Sequence, residues 1–184
     1  MIETTDNVLI RNCLNGDVKS FETLVVRYQK TVYNAVYRLV GCIEDAEDVT
    51  QTVFVKVYEN LDTFNPRYKF YSWIYRIAMN ESINFINSRK HEEILHDNFT
   101  AGEKGPDEDF QTRESEKMIQ NALMRIDFDH RVLIVLKHFL DRSYSEIGQI
   151  LNIPDKTVKS RLYVARQKLA EILNEKGVKK NEKR

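Results

Sequence analysis

Apolar residues along this chain recur mostly at intervals of three and four, the spacing that lines one face of an α-helix. The clearest run is Phe21, Leu24, Val25, Tyr28, Val32, Ala35, Val36 and Leu39. It predicts a helix to about Val40, with Asp17 as its cap. A shorter helix over about residues 5–15 precedes it and stops at Asn15-Gly16, a helix-ending pair. A third helix is expected over about residues 44–60, with Ala46, Val49, Val53 and Val57 inward and Asp45, Asp48 and Gln51 toward solvent. A fourth is expected over about residues 70–89, placing Phe70, Trp73, Ile74, Ile77, Ala78 and Phe85 on one face.

The C-terminal part predicts four more helices. Met118, Ile119, Ala122, Leu123 and Ile126 form the apolar stripe of a helix over 113–126. Asp129 is placed to cap the next, which carries Val132, Leu133, Val135, Leu136 and Phe139. Ser143 and Glu146 have the spacing of a capping box, two reciprocal side-chain-to-backbone bonds that start a helix. That helix ends near Leu151-Asn152, Ile153-Pro154 makes a turn, and a last helix runs from about Asp155 to Asn174 with Val158, Leu162, Ala165, Leu169 and Ile172 inward. The expected fold is all-α.

Between these groups the pattern fails. The stretch Ala101-Gly102-Glu103-Lys104-Gly105-Pro106-Asp107-Glu108-Asp109 is polar, acidic and unpatterned, and it holds two of the six glycines and one of the three prolines. It reads as a flexible linker, with the boundary over residues 91–112. The 184 residues then divide into two small helical domains.

Charge sharpens the division. The chain has 28 basic and 28 acidic side chains. By segment, residues 1–90 carry 11 of each, residues 91–117 carry 3 basic and 9 acidic, and residues 118–184 carry 14 basic and 8 acidic. The rear half is therefore basic, which suits a polyanion or an ordinary solvated surface. The acidic spacer is expected to repel DNA and so to restrain binding by the free protein.

Composition excludes several classes. No apolar run approaches the roughly 20 residues needed to cross a membrane, so no membrane insertion is expected. The N-terminus lacks a basic patch followed by an apolar stretch. Cys13 and Cys42 are too few for a disulfide scaffold, and the default compartment is a reducing cytoplasm. His91, His96, His130 and His138 show neither metal spacing nor a paired nucleophile, and there is no phosphate-binding glycine loop, so no cofactor, metal or catalytic residue is expected.

Two places carry chemistry. A short capped helix, a turn and a longer helix make a helix-turn-helix. The second helix turns Lys156, Thr157, Lys159, Ser160, Arg161 and Tyr163 outward, where such side chains reach base edges or phosphates in a major groove. Arg166, a turn or more further on, suits phosphate. The bland alternative is a basic surface helix. The second place is residues 61–80, where Phe64, Tyr68, Phe70, Tyr71, Trp73 and Tyr75 interleave with Arg67, Lys69 and Arg76, with Lys56 near in sequence. Rings beside cations suit unpaired bases, and an amide such as Asn80 can bond the edge of an extruded base. Phe70, Trp73, Ile74 and Ile77 are expected to be core, while Phe64, Tyr71, Arg76 and Asn80 remain open to either reading. Two rivals stand beside a strand-melting function: a regulator that binds only duplex DNA, and a nuclease built on Glu44, Asp45, Glu47 and Asp48, which helical spacing fans apart.

The chain resembles bacterial sigma-70 family RNA polymerase sigma factors of the extracytoplasmic-function (ECF, group IV) type. Asp45 to Tyr58 (DAEDVTQTVFVKVY) resembles the family's region 2.2, Phe70 to Asn80 (FYSWIYRIAMN) its regions 2.3 and 2.4, and Thr157 to Leu162 (TVKSRL) with Ala165-Arg166 its region 4.2. The resemblance implies a region 2 helical bundle over residues 1–90, an acidic flexible linker over 91–112 and a region 4 helix-turn-helix over 113–184. It implies a sigma factor that directs promoter-specific transcription initiation. Asp48, Gln51, Phe54 and Val55 would dock on the clamp helices of the core polymerase's largest subunit, with the polymerase flap as a further contact. Phe64, Tyr71 and Asn80 would hold a base flipped from the −10 element while Lys56, Lys69 and Arg76 neutralise phosphates. Lys156, Thr157, Lys159, Ser160, Arg161, Tyr163 and Arg166 would read the −35 element. An anti-sigma factor is a further implied partner.

Overall fold

The computed structural model describes residues 4–95 and 110–175, with side chains described for 4–89 and 115–175. The helices are α1 (Asp6–Leu14), α2 (Val18–Val40), α3 (Ile43–Glu59), α4 (Phe70–Leu95), α5 (Phe110–Met124), α6 (Phe128–Ile134, widening into a π turn over Val135–Phe139), α7 (Tyr144–Leu151) and α8 (Asp155–Glu175). No strand occurs among the described residues. Helical turns of α4 and α5 reach into the span 91–112, and the unpatterned stretch 101–109 lies outside the described residues.

In the front half α1 to α4 pack as a bundle. Asp17 starts α2 as expected, accepting from the Lys19 amide at 3.1 Å and from Ser20 Oγ at 2.7 Å. Asp6 fastens α1 to α2 by accepting from both Arg27 and Tyr28. One expectation is corrected here. Asp45 does not face solvent: it receives the Arg89 guanidinium, because one turn of α3 brings it over α4.

In the rear half α5 to α8 pack with α7 and α8 as a helix-turn-helix. The capping box forms, with Glu146 N donating to Ser143 Oγ at 3.2 Å and Ser143 N to the Glu146 carboxylate at 2.8 Å. Gly148 sets the turn: a Cβ there would lie 2.7 Å from the Ile153 carbonyl oxygen, so only glycine lets the backbones approach this closely. A second correction concerns α6. Its N-cap position is Asp127, and Asp129 lies within the first turn. Asp127 instead receives His130 and Lys168.

The two halves share one hydrophobic cluster that runs from Leu9 and Ile10 through Leu39, Val53 and Ile74 to Leu133, Leu136, Ile147 and Leu162. α2 packs on α5 and α6, and α4 packs on α7. Polar contacts pin the same joint. Arg131, only 8% exposed, donates to the Leu39 carbonyl at the end of α2 and to the carbonyls of Met124 (3.2 Å) and Ile126 (3.0 Å). These are carbonyls that helix ends leave without a partner of their own. Arg38 donates to Gln120 at 3.1 Å, and Gln120 donates to the Tyr37 carbonyl at 3.1 Å. Gly41, left-handed at φ 85°, closes α2 where any Cβ would strike Met124 Sδ at 2.5 Å.

Candidate nucleic-acid interface

The loop before α4 is shaped locally. Leu61–Thr63 form a 3-10 turn, and Asn65 Oδ1 accepts from the Arg67 amide at 3.0 Å, the Asn-Pro arrangement that turns the chain. This delivers Phe64 onto the start of α4. Its ring is 8% exposed and packs edge-on to Phe70 at 5.5 Å and against Trp73 at 5.6 Å. Phe70 and Ile74 are core, as expected, while Trp73 and Ile77 are half-buried.

Phe64, Asn65, Tyr68, Ser72, Trp73 and Arg76 line one wall of a cavity of about 640 Å³. The opposite wall comes from the rear half, from Ser145, Gln149, Asn152, Pro154 and Asp155. Ser72 is 5% exposed, and its hydroxyl has no protein partner among the described residues. An aromatic wall, a guanidinium and an unsatisfied buried hydroxyl suit a planar polar ring.

The remaining front-half candidates separate into two groups. Tyr71, Lys69 and Arg76 meet the rear half. Tyr71 Oη donates to the Glu146 carboxylate, Lys69 Nζ lies 3.9 Å from it, and Arg142 sits 4.6 Å over the Tyr71 ring. Arg76 donates Nε to the Ile150 carbonyl at 3.0 Å and an Nη to the Gln149 carbonyl. Lys56 and Asn80 lie elsewhere. Lys56 pairs with Glu81 at 2.7 Å, and exposed Asn80 lines a smaller cleft of about 230 Å³ that it shares with Arg161 of α8. The Tyr71 hydroxyl and the Ser143 amide hold the Glu146 carboxyl down at about 2.

On α8 the outward face is as the pattern predicts. Lys156, Lys159, Ser160, Arg161, Tyr163 and Arg166 are exposed and Thr157 is half-buried, with Val158, Leu162 and Ala165 inward. Several of these cations are aimed by neighbours. Lys159 Nζ lies 5.6 Å over the Tyr144 ring, and Arg166 donates to His138 at 3.1 Å. Burial and the adjacent Arg166 and Lys137 push the His138 pKa down, which keeps its ring able to accept that bond. Tyr163 is 63% exposed and accepts from Gln167 at 2.9 Å. On α3, Asp48, Gln51 and Val55 are exposed and Phe54 half-buried. Val55 is 55% exposed, an apolar group set among polar ones on a helix face.

The sequence pattern did not single out Arg142, Gln149 or the second role of Glu146. Their partners lie about seventy positions away, so no local spacing signals them.

A sigma-70 region 2 family model matches residues 24–92, and a sigma-70 region 4 model matches residues 116–169. The chain belongs to the sigma-70 family. It is 34% identical over 179 residues to the ECF RNA polymerase sigma factor SigW of Bacillus subtilis, covering 90% of this chain and 95% of that one. It is 33% identical over 177 residues to the ECF RNA polymerase sigma-E factor of Escherichia coli, covering 90% and 92%. Among solved structures it is similar to CnrH in complex with the cytosolic domain of CnrY, with TM-score 0.73, 25% identity, and 92% and 97% coverage. The fold also matches the sigma factor RpoE of Bartonella quintana in complex with the anti-sigma factor NepR, with TM-score 0.73, 22% identity, and 85% and 98% coverage. As an ECF sigma factor, the protein serves promoter-directed transcription initiation by RNA polymerase. No helix among the described residues is long and apolar enough to cross a membrane.

Proposed function

We propose that this sigma factor divides its work between a front module, residues 1–90, and a rear module, residues 113–184, joined by residues 91–112. The front module docks on the clamp helices of core RNA polymerase through Asp48, Gln51, Phe54 and Val55. It captures −10 bases with Phe64, Tyr71 and Asn80 while Lys56, Lys69 and Arg76 meet phosphates. The rear module reads the −35 duplex with Lys156, Thr157, Lys159, Ser160, Arg161, Tyr163 and Arg166, and meets the polymerase flap.

The observation that carries this reading is the aromatic cavity beside Arg76, with the Ser72 hydroxyl unpaired on its wall. Extruding a base costs a few kcal/mol of stacking and pairing. A pocket that takes only the extruded base draws the promoter toward its open form. The exposed cations of α8 suit intact duplex, whose major groove admits a helix. Two modest contacts on one chain gain strength through effective concentration. The solved structures of CnrH with CnrY and of RpoE with NepR support an anti-sigma protein as a further partner.

The test is transcription in a purified system. Core polymerase with this chain is expected to start transcripts from a subset of a genomic promoter library, and core alone is not. Failure to associate with core, or initiation from no template, overturns the reading. A regulator confined to duplex DNA would bind the library without supporting initiation.

A further inference from the structure

We infer that the free chain is closed by its own rear half, with α7 occupying the −10 face in place of nucleic acid. This inference rests on the assignment of Lys69, Tyr71 and Arg76 to −10 binding. All three are engaged across the joint, and each by a group that resembles what DNA would offer. Arg76, proposed for phosphate, holds the Gln149 and Ile150 carbonyls at the C-terminal end of α7. That end carries the negative pole of the helix and carbonyls with no intrahelical partner. Tyr71 and Lys69 are drawn to the Glu146 carboxylate.

Geometry makes the closed form incompatible with a promoter. Elements centred at −10 and −35 lie about 25 base pairs apart, roughly 85 Å of duplex at 3.4 Å per pair. In this structure Asn80 and Arg161, one from each reading surface, line a single cleft. The two surfaces must separate before both elements are read.

The closure leaves two surfaces accessible. Asp48, Gln51 and Val55 on α3 are exposed, as are Lys156, Lys159 and Arg161 on α8. Polymerase can therefore meet the closed chain, and opening follows on its surface. The affinity of the free chain for single strands is lowered by the fraction that is open.

Glu146→Gln tests this, because glutamine can still serve the capping box while losing the charge that Tyr71 and Lys69 seek. The probe is a fluorescent 12-nucleotide single-stranded DNA of mixed sequence, titrated with full-length chain, free and assembled on core polymerase. The expected result is roughly five-fold or greater tightening for the free variant and equal affinity of variant and parent on core. A second measurement uses nitroxides at Val26→Cys and Glu171→Cys, with Cys13 and Cys42 changed to serine. The interspin distance is expected to be short in the free chain and to lengthen when core is added.

Equal affinity of the two free chains, with the parent binding tightly on core, overturns the closure. So does an interspin distance that core leaves unchanged. Absence of probe binding by either chain on core overturns instead the −10 assignment on which the closure rests.

Discussion

The Tyr71 phenol donates to the Glu146 carboxylate across 75 positions of sequence, joining a proposed base-binding ring to the residue that starts the helix-turn-helix. Glu146 thus does two jobs. It closes the capping box with Ser143, a local matter, and it anchors α7 to the opposite half, a long-range one. The functional residues of this protein are best understood through that sharing.

The pH dependence follows from it. The Tyr71 and Ser143 donors hold the Glu146 pKa at about 2 in the closed chain, below the ordinary glutamate value of about 4.3. A depressed carboxyl contributes stability in full above the ordinary value and loses it as pH falls through the depressed one. The extra closure of the parent over Glu146→Gln is expected to be constant above about pH 5 and to vanish between about pH 4 and pH 2. Interspin distance across the joint, measured against pH for both chains, checks this.

Asn80→Ala is expected to leave core binding intact and to lower discrimination at one −10 position by about 1–2 kcal/mol, the worth of a lost hydrogen bond to a base edge. Competition among single-strand probes that differ at each position, read on the assembled holoenzyme, identifies the position. Uniform weakening at every position would assign Asn80 to the backbone.

Lys159→Ala separates base reading from phosphate contact on α8. A base-edge contact predicts a loss of about 1–3 kcal/mol confined to the preferred −35 sequence. A phosphate contact predicts equal loss on all duplexes and a salt dependence shallower by about one unit. Duplex affinity at several salt concentrations distinguishes the two.

Arg131→Met probes the joint itself. Burial lowers the Arg131 pKa, and its guanidinium serves the carbonyls of Leu39, Met124 and Ile126. Removing it leaves buried acceptors unpaired, at about 1–3 kcal/mol each. The expected outcome is a clear fall in the urea midpoint, by about 2–4 kcal/mol in total, since the neighbouring chain relaxes. Unchanged unfolding would show that solvent replaces the guanidinium at no loss.

Much of this fold was legible because helices are written locally. The stripe Phe21 to Leu39 forms α2, the Asp17 cap forms, and Ser143 with Glu146 closes the expected capping box. The exposed face of α8 follows from the inward positions of Val158, Leu162 and Ala165 alone. Asp45 shows where local pattern stops. Its periodicity placed it outward, and only the position of α4 showed that Arg89 reaches it. Asp129 shows the same for a cap, since Asp127 holds that position and is drawn to Lys168 on another helix.

The amino-acid sequence by itself determined the helices, their caps, the cationic face of α8 and the aromatic run before α4. These depend on neighbours within one or two turns. Only the tertiary structure decided that Tyr71, Lys69 and Arg76 lie against α7, that Arg131 ties the end of α2 to the rear half, and that Ser72 lines a cavity. Those contacts join residues far apart in the chain. Their geometry is set by how two apolar surfaces fit together, and helical periodicity, which repeats every few residues, carries no record of it.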